Sequence, residues 1–163
     1  MPTTTLRASS VDIPALVGLM REFYAEAGHA LHDDWAASSF SALLGDPARG
    51  MAWIVKVDSV PAGHAVLTFR HSMEFGGLDA FVDDLFVRPG HRRRGLGRAL
   101  LAALFDECRR RGVLAVHVET GEGNAAARSL YASFGMRDRG RLLLTAPLGD
   151  GSGPEPGGAS GRA

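Results

Sequence analysis

The stretch Val87-Arg88-Pro89-Gly90-His91-Arg92-Arg93-Arg94-Gly95-Leu96-Gly97-Arg98 decides the reading of this 163-residue chain. It follows Ala80 to Val87, an aromatic and β-branched run that predicts a strand ended by Pro89 and Gly90. Beyond Gly95, residues Leu96, Leu100, Leu104 and Cys108, with Leu101 and Phe105, form one apolar stripe of a helix reaching about Arg111. Arg109, Arg110 and Arg111 suit the negative end of that helix, and Gly112 suits its cap. A strand therefore runs into a basic, glycine-bearing loop and then a helix. The first-turn amides of such a helix lack partners and carry positive dipole. Gly95 and Gly97 allow a phosphate to approach the backbone, and arginines add charge-assisted hydrogen bonds. A phosphate site is the expectation, and a helix start with a solvated basic face is the competing one. A nucleoside-triphosphate loop is excluded because no Gly-Lys-Ser/Thr follows. A dinucleotide fingerprint is excluded because Leu100 stands where a third small residue is required.

Outward from this stretch, the pattern predicts a short strand around Leu6. A helix follows Asp12, with Ile13, Leu16, Val17, Met20 and Tyr24 on one face. A second helix is expected from Asp34 to Leu44, ended by Gly45. Met51 to Val57 and Gly63 to Phe69 predict a hairpin around a turn from Asp58 to Ala62. After the central stretch, Val113 to Glu119 predicts a strand, Asn124 to Phe134 a helix, and Leu142 to Thr145 a last strand. The order β-α-α-β-β-β-α-β-α-β implies an antiparallel meander joined to a parallel pair by a right-handed crossover. The expected class is α/β (α+β), with a mixed, mostly antiparallel central sheet flanked by helices. Residues 1–148 would form one domain. The Gly/Pro-rich residues 149–163 would form a flexible tail.

Lys+Arg and Asp+Glu both number 18, so the formal net charge is zero. That balance argues against a protein that coats nucleic acid or an anionic membrane. The zero hides a split: residues 1–87 hold 11 acids and 5 bases, and residues 88–163 hold 7 acids and 13 bases. An anion-binding half and an acidic half that meets a cation are the implied partners. One cysteine excludes an intrachain disulfide, and no signal-peptide pattern or apolar span of membrane length is present. A cytoplasmic location is the expectation. The histidines at 29, 32, 64 and 71 are dispersed without metal-ligand spacing, so no metal is expected. Cys108 reads as a small core hydrophobe.

Arg92-x-x-Gly95-x-Gly97 after a strand ending at Val87 resembles the acyl-CoA-binding motif of the GNAT superfamily of N-acetyltransferases, Arg/Gln-x-x-Gly-x-Gly/Ala. Asn124-Ala125-Ala126-Ala127-Arg128-Ser129-Leu130-Tyr131-Ala132-Ser133-Phe134-Gly135-Met136 is similar to a second segment of that family, Asn-x-x-Ala-x-x-Leu-Tyr-x-x-x-Gly-Phe. In element order the resemblance covers about residues 5–147. It implies the GNAT-like fold, in which the two central strands part and the pantetheine arm of acetyl-CoA lies in the split. The implied cofactor contacts are the main chain of Leu85, Phe86 and Val87, the segment Arg92, Arg93, Arg94, Gly95, Leu96 and Gly97, then Arg98, and Asn124. Tyr131 is implied as the acid that protonates the leaving thiolate.

Polyamine acetyltransferases of this superfamily carry an acidic pair where Asp83 and Asp84 stand, which implies Asp83 as base. Phe81 stands where the histone-acetylating members have Glu. Adjacent strand residues point to opposite faces unless a bulge intervenes. The choice between Asp83, Asp84 and a water relay therefore stays open. Tyr24 and Glu26, in an aromatic and acidic group with Phe23 and Trp35, are candidates for holding a cationic acceptor. The resemblance implies an acetyl-CoA-dependent transferase acting on a small-molecule amine in a ternary complex. Acetylation of a peptide or protein amine and a non-catalytic acyl-CoA sensor are the alternatives. The family's habit makes a homodimer the expected assembly.

Overall fold

The computed structural model describes residues 1–149, so residues 150–163 of the expected tail lie outside the described residues. Five strands form one sheet in the order β1-β2-β3-β4-β5. They are β1 (Thr3–Arg7), β2 (Gly50–Val57), β3 (Val60–Ser72), β4 (Gly77–Val87) and β5 (Val116–Val118). The first four pair antiparallel, and β5 joins β4 in parallel. The helices are α1 (Ile13–Glu26), α2 (Asp33–Leu44), α3 (Leu96–Arg110) and α4 (Ala125–Ala132).

Alternation along each strand divides the core between the two faces. Trp53, Val55, Leu67, Leu85 and Val87 pack with Leu96, Leu100 and Leu104 of α3 and Tyr131 of α4. Their neighbours Ala52, Ile54 and Val66 pack with Leu16, Val17 and Met20 of α1 and Phe40 of α2. The expected class and element order hold up to α4. The connection between β2 and β3 is tighter than expected: Asp58 and Ser59 both take positive φ, and Val57 pairs with Val60. Pro61 lies inside β3, beside the register shift at Val55 and Lys56, where its missing N–H is tolerated.

The expected strand from Leu142 to Thr145 is absent. The run suits a strand in composition, but a strand needs a backbone partner, and among the described residues no strand pairs with it. Leu142, Leu143 and Leu144 are exposed there. The chain enters this segment through Gly140 at φ 66°, with Arg139 and Arg141 both drawn to Glu74.

Two features of β4 position the site. Val66 pairs with Asp84 and Leu67 with Val82, so Asp83 is an extra residue, a β-bulge. The ladder with β5 covers only Ala80↔Val116, Phe81↔His117 and Val82↔Val118. Asp79, fully buried, anchors that short ladder through Arg70 at 2.8 Å and His117 at 2.9 Å. From Asp83 to Val87, β4 has β3 on one side and an open edge on the other.

Gly63 pairs with Val87, and a Cβ there would stand 2.5 Å from the Phe86 carbonyl oxygen. Gly63→Ala is expected to destabilise the protein by about 1–3 kcal/mol through overpacking. Chemical denaturation of the purified variant measures this, and unchanged stability contradicts the close packing of β3 on the open part of β4.

Candidate active site

Between β4 and α3 the chain makes a 3₁₀ turn at Pro89–His91. Arg93 then adopts φ 61° and Gly95 φ 80°, the latter as the residue before α3. The left-handed turn at Gly95 aims the first amides of α3 outward, beside a cavity of about 150 Å³. Its walls bring together Val87, Arg92, Arg93, Gly95, Gly97 and Arg98 with Ala126 and Leu130 of α4. Arg98 donates to Ser133 at 3.1 Å and stacks on Phe134, which ties this wall to α4. Arg94 turns toward His91 and Met1. The Asn124 carbonyl oxygen caps α4 by accepting from the Ala127 amide at 3.2 Å.

The open edge of β4 leads into this cavity. The Arg88 amide donates to Ala62 across β3, so alternation turns the peptide groups of Val87 and Leu85 toward the split. Phe86 instead faces α1 and packs on Phe23 and Leu19. The Val87 carbonyl already receives Arg92 Nε at 2.8 Å. Arg92 also pairs with Glu26 at 2.7 Å, and Arg88 with Glu22 at 2.7 Å, so α1 is fastened to the loop. That pairing gives the Glu26 carboxylate a structural partner, and Glu26 is not a wall of the cavity described next. Tyr131 stands on the α3 side of the sheet, 3% exposed, with a buried hydroxyl that has no hydrogen-bond partner among the described residues. Burial pushes its pKa up. A buried, unpartnered hydroxyl is costly and points to a partner supplied from outside the chain.

On the other face, a second cavity of about 270 Å³ opens between α2, β3 and β4. Asp83 and Asp84 both line it, because the bulge cancels the alternation that would separate them. Solvent reaches Asp83, whereas Asp84 is buried. Partial burial first, then the charges of Asp84 and Glu119, push the Asp83 carboxyl up to about 6. Tyr24 is raised to about 12, by burial first and then by the charges of Asp84 and Asp83, although like Glu26 it is not a wall of this cavity.

Asp84 is backed by His64 Nε2 at 3.4 Å. His64 is wholly buried between Phe23 and Phe86, and its Nδ1 has no partner. Sequence reading passed over His64 as one of several dispersed histidines. The signal was the hairpin register, which sets His64 opposite Phe86 and two residues from the partner of Asp84. Met20, Phe40 and Arg49 were also missed as cavity walls, since nothing in a single sequence joins three separate elements. Phe23 is core, and His117 is occupied with Asp79 and stacked on Phe81. Cys108 is buried with its thiol raised to about 11, which suits packing and not nucleophilic attack.

The profile of the acetyltransferase (GNAT) family matches residues 16–136. The chain belongs to that family. An integron cassette protein from the mobile metagenome of Cole Harbour Salt Marsh has a similar solved structure, with TM-score 0.82 and 43% identity, covering 89% of this chain and 90% of that one. [Ribosomal protein bS18]-alanine N-acetyltransferase of Escherichia coli (strain K12) is 43% identical over 60 residues, which is 37% of this chain and 40% of that protein. L-methionine sulfoximine/L-methionine sulfone acetyltransferase of Salmonella typhimurium is 34% identical over 95 residues, 58% of this chain and 52% of that protein. The chain thus spans about half or less of the length of these curated relatives.

Acetyl-CoA, the donor of the GNAT family, fits the residues present: a helix N-terminus with arginines, a strand edge turned outward, and an unpartnered tyrosine hydroxyl. No helix among the described residues is long and apolar enough to cross a membrane.

Gly95→Ala forces a side chain into the left-handed region, at a cost of about 1–2 kcal/mol. We expect weaker CoA binding by calorimetry together with a lower thermal midpoint. Wild-type affinity in that variant contradicts the assignment of this loop to phosphate.

Proposed function

We propose that the protein transfers the acetyl group of acetyl-CoA to the primary amine of a small molecule. One observation carries this reading: β4 is bulged at Asp83 where it leaves β5, so a single strand presents an open backbone edge to the loop cavity and two carboxylates to the opposite cavity. Donor and acceptor would approach from the two sides of that strand and meet at the split. The reading extends to direct attack in a ternary complex.

Acetyl-CoA supplies the activated thioester when bound. The amides from Arg92 to Gly97, with Arg93 and Arg98, would hold its pyrophosphate. The edge of Leu85 and Val87 would hold its pantetheine arm, and Asn124 would stand beside that arm. Asp83 accepts the proton of the acceptor ammonium, since a carboxyl raised to about 6 is a better base than an ordinary aspartate yet is ionised at neutral pH. Asp84, held by His64, stays beside it and attracts the cation. Tyr24 borders the same acids and would flank the acceptor. Tyr131 would give its proton to the sulfur as the carbon–sulfur bond breaks, and the second proton shed by the newly acylated nitrogen would restore the tyrosine. The buried hydroxyl has no competing partner among the described residues. Holding both reactants in place supplies much of the rate.

A second reading, with a protein α-amine as acceptor, draws support from the 60-residue likeness to the bS18-alanine enzyme. The cavity beside Asp83, about 270 Å³ and carrying two carboxylates, favours the first reading because it has room for a small cation, though it falls just short of the roughly 300–1,000 Å³ of typical ligand pockets.

Thiol release from acetyl-CoA across a panel of amines tests the proposal. Asp83→Asn and Tyr131→Phe are each expected to lower kcat about 10²–10⁴-fold, as for loss of a general acid or base. Turnover left intact in both variants overturns the assigned roles. In the wild type, kcat/KM should rise with pH through a limb centred near 6, because only ionised Asp83 accepts a proton. The limb should vanish in Asp83→Asn.

A further inference from the structure

The acceptor cavity holds both signs of charge. Asp83 and Asp84 lie on the β4 wall, and Arg49 lies on the wall where the chain enters β2. The Arg49 backbone is fixed there, since its carbonyl accepts the Phe69 amide of β3 at 2.9 Å. Its guanidinium is held on one side only: Nε donates to Asp46 at 3.2 Å, and both side chains are well exposed, at 64% and 47%. An exposed pair of this kind contributes little and leaves the terminal nitrogens to a stronger acceptor. No other acceptor takes them among the described residues. Between the two charged walls, Met20, Phe40, Leu43 and Val66 are apolar.

A simple alkylamine would answer the aspartates and leave the cation unused. A molecule with an ammonium at one end, a carboxylate at the other and an apolar body between them answers all three surfaces. We infer that the acceptor is a free amino acid with an apolar or weakly polar side chain. Its amino group faces Asp83 and Asp84, its carboxylate is received by Arg49, and its side chain lies against Met20, Phe40 and Leu43. Arg49 is then the residue that tells a free amino acid from an amine or a peptide N-terminus, since neither of those carries the α-carboxylate. This inference rests on the acetyl-transfer reading above and goes beyond it by naming the acceptor class.

The test measures thiol release with L-leucine, L-methionine and L-phenylalanine, their carboxamides, the corresponding decarboxylated amines, and a short peptide beginning with the same residues. For the wild type, kcat/KM for the acids should exceed that for the carboxamides about ten- to hundredfold, the usual effect of a charge-assisted hydrogen bond. Arg49→Ala should close that gap mainly through KM for the acids, and Arg49→Lys should restore part of it. Thermal midpoints of both variants check that they fold, and a misfolded Arg49→Ala is replaced by Arg49→Gln in the same comparison. Carboxamides or amines used as well as the acids, or a gap that survives loss of Arg49, overturns the inference while leaving acetyl transfer in place. Thiol release with none of these acceptors overturns this inference, and if the wider amine panel also releases none, the acetyl-transfer reading falls with it.

Discussion

Past Val82, strand β4 has a hydrogen-bonding neighbour on one side only. Its buried residues Leu85, Phe86 and Val87 nevertheless sit at the centre of the molecule. Buried peptide groups need partners, so an open edge at this depth demands something to bond with. The protein meets part of the demand itself, through the guanidinium of Arg92 on the Val87 carbonyl. The remainder faces the cavity at the start of α3, where amides and arginines favour an anion. The bulge at Asp83 sits at the start of this open segment. Releasing the strand from β5 and turning a second carboxylate onto the acceptor face are therefore one local distortion with two chemical results.

The charge split takes on a different meaning once the ion pairs are known. A cofactor side and a substrate side that cancel account for only part of it. Arg88 and Arg92 are engaged by Glu22 and Glu26, so some of the opposition between the acidic and basic halves is wiring that holds α1 to the loop. Glu107, with Arg110 and Arg111, is a further local pairing on α3. Among the described residues Arg93 and Arg98 have no carboxylate in salt-bridge contact, and both line the loop cavity. The acids that remain concentrated are Asp83 and Asp84.

Much of this was legible in sequence because it is local. Gly95 needs a left-handed backbone, the stripe from Leu96 to Cys108 needs a buried helix face, and Asn124 caps its own helix. Arg92, Arg93, Gly95, Leu96, Gly97 and Arg98 of the expected loop line one cavity, since they are neighbours in the chain, whereas Arg94 turns toward His91 and Met1. The strand from Leu142 to Thr145 failed for the opposite reason: composition reports a preference, while a strand exists only with a partner. The cavity proposed for the acceptor was legible in sequence only at Asp83 and Asp84. Its other walls Met20, Phe40, Arg49 and Val66 come from α1, α2, the residue before β2, and β3, and His64 of β3 backs Asp84 from behind. Their meeting depends on register and helix packing, which residue type does not encode. Glu26, chosen for its charge near Tyr24, lies on a different stripe of α1 and is paired with the loop.

That difference of stripe shows how the two sides of the site are mechanically joined. Met20 and Tyr24 are four residues apart, as are Glu22 and Glu26, so each pair occupies one line along α1. On the first line Met20 walls the cavity proposed for the acceptor, and Tyr24 is influenced by the charges of Asp84 and Asp83. The second grips Arg88 and Arg92 on the cofactor loop. The fixed angle between the two lines lets one rigid helix hold the phosphate loop and shape the acceptor wall together. The partly buried ion pairs resist a shift of the loop relative to α1 more than surface pairs would, because breaking them leaves charge incompletely solvated. In the proposed reaction, placement of donor and acceptor would then be referred to the same helix, as transfer between two bound reactants requires.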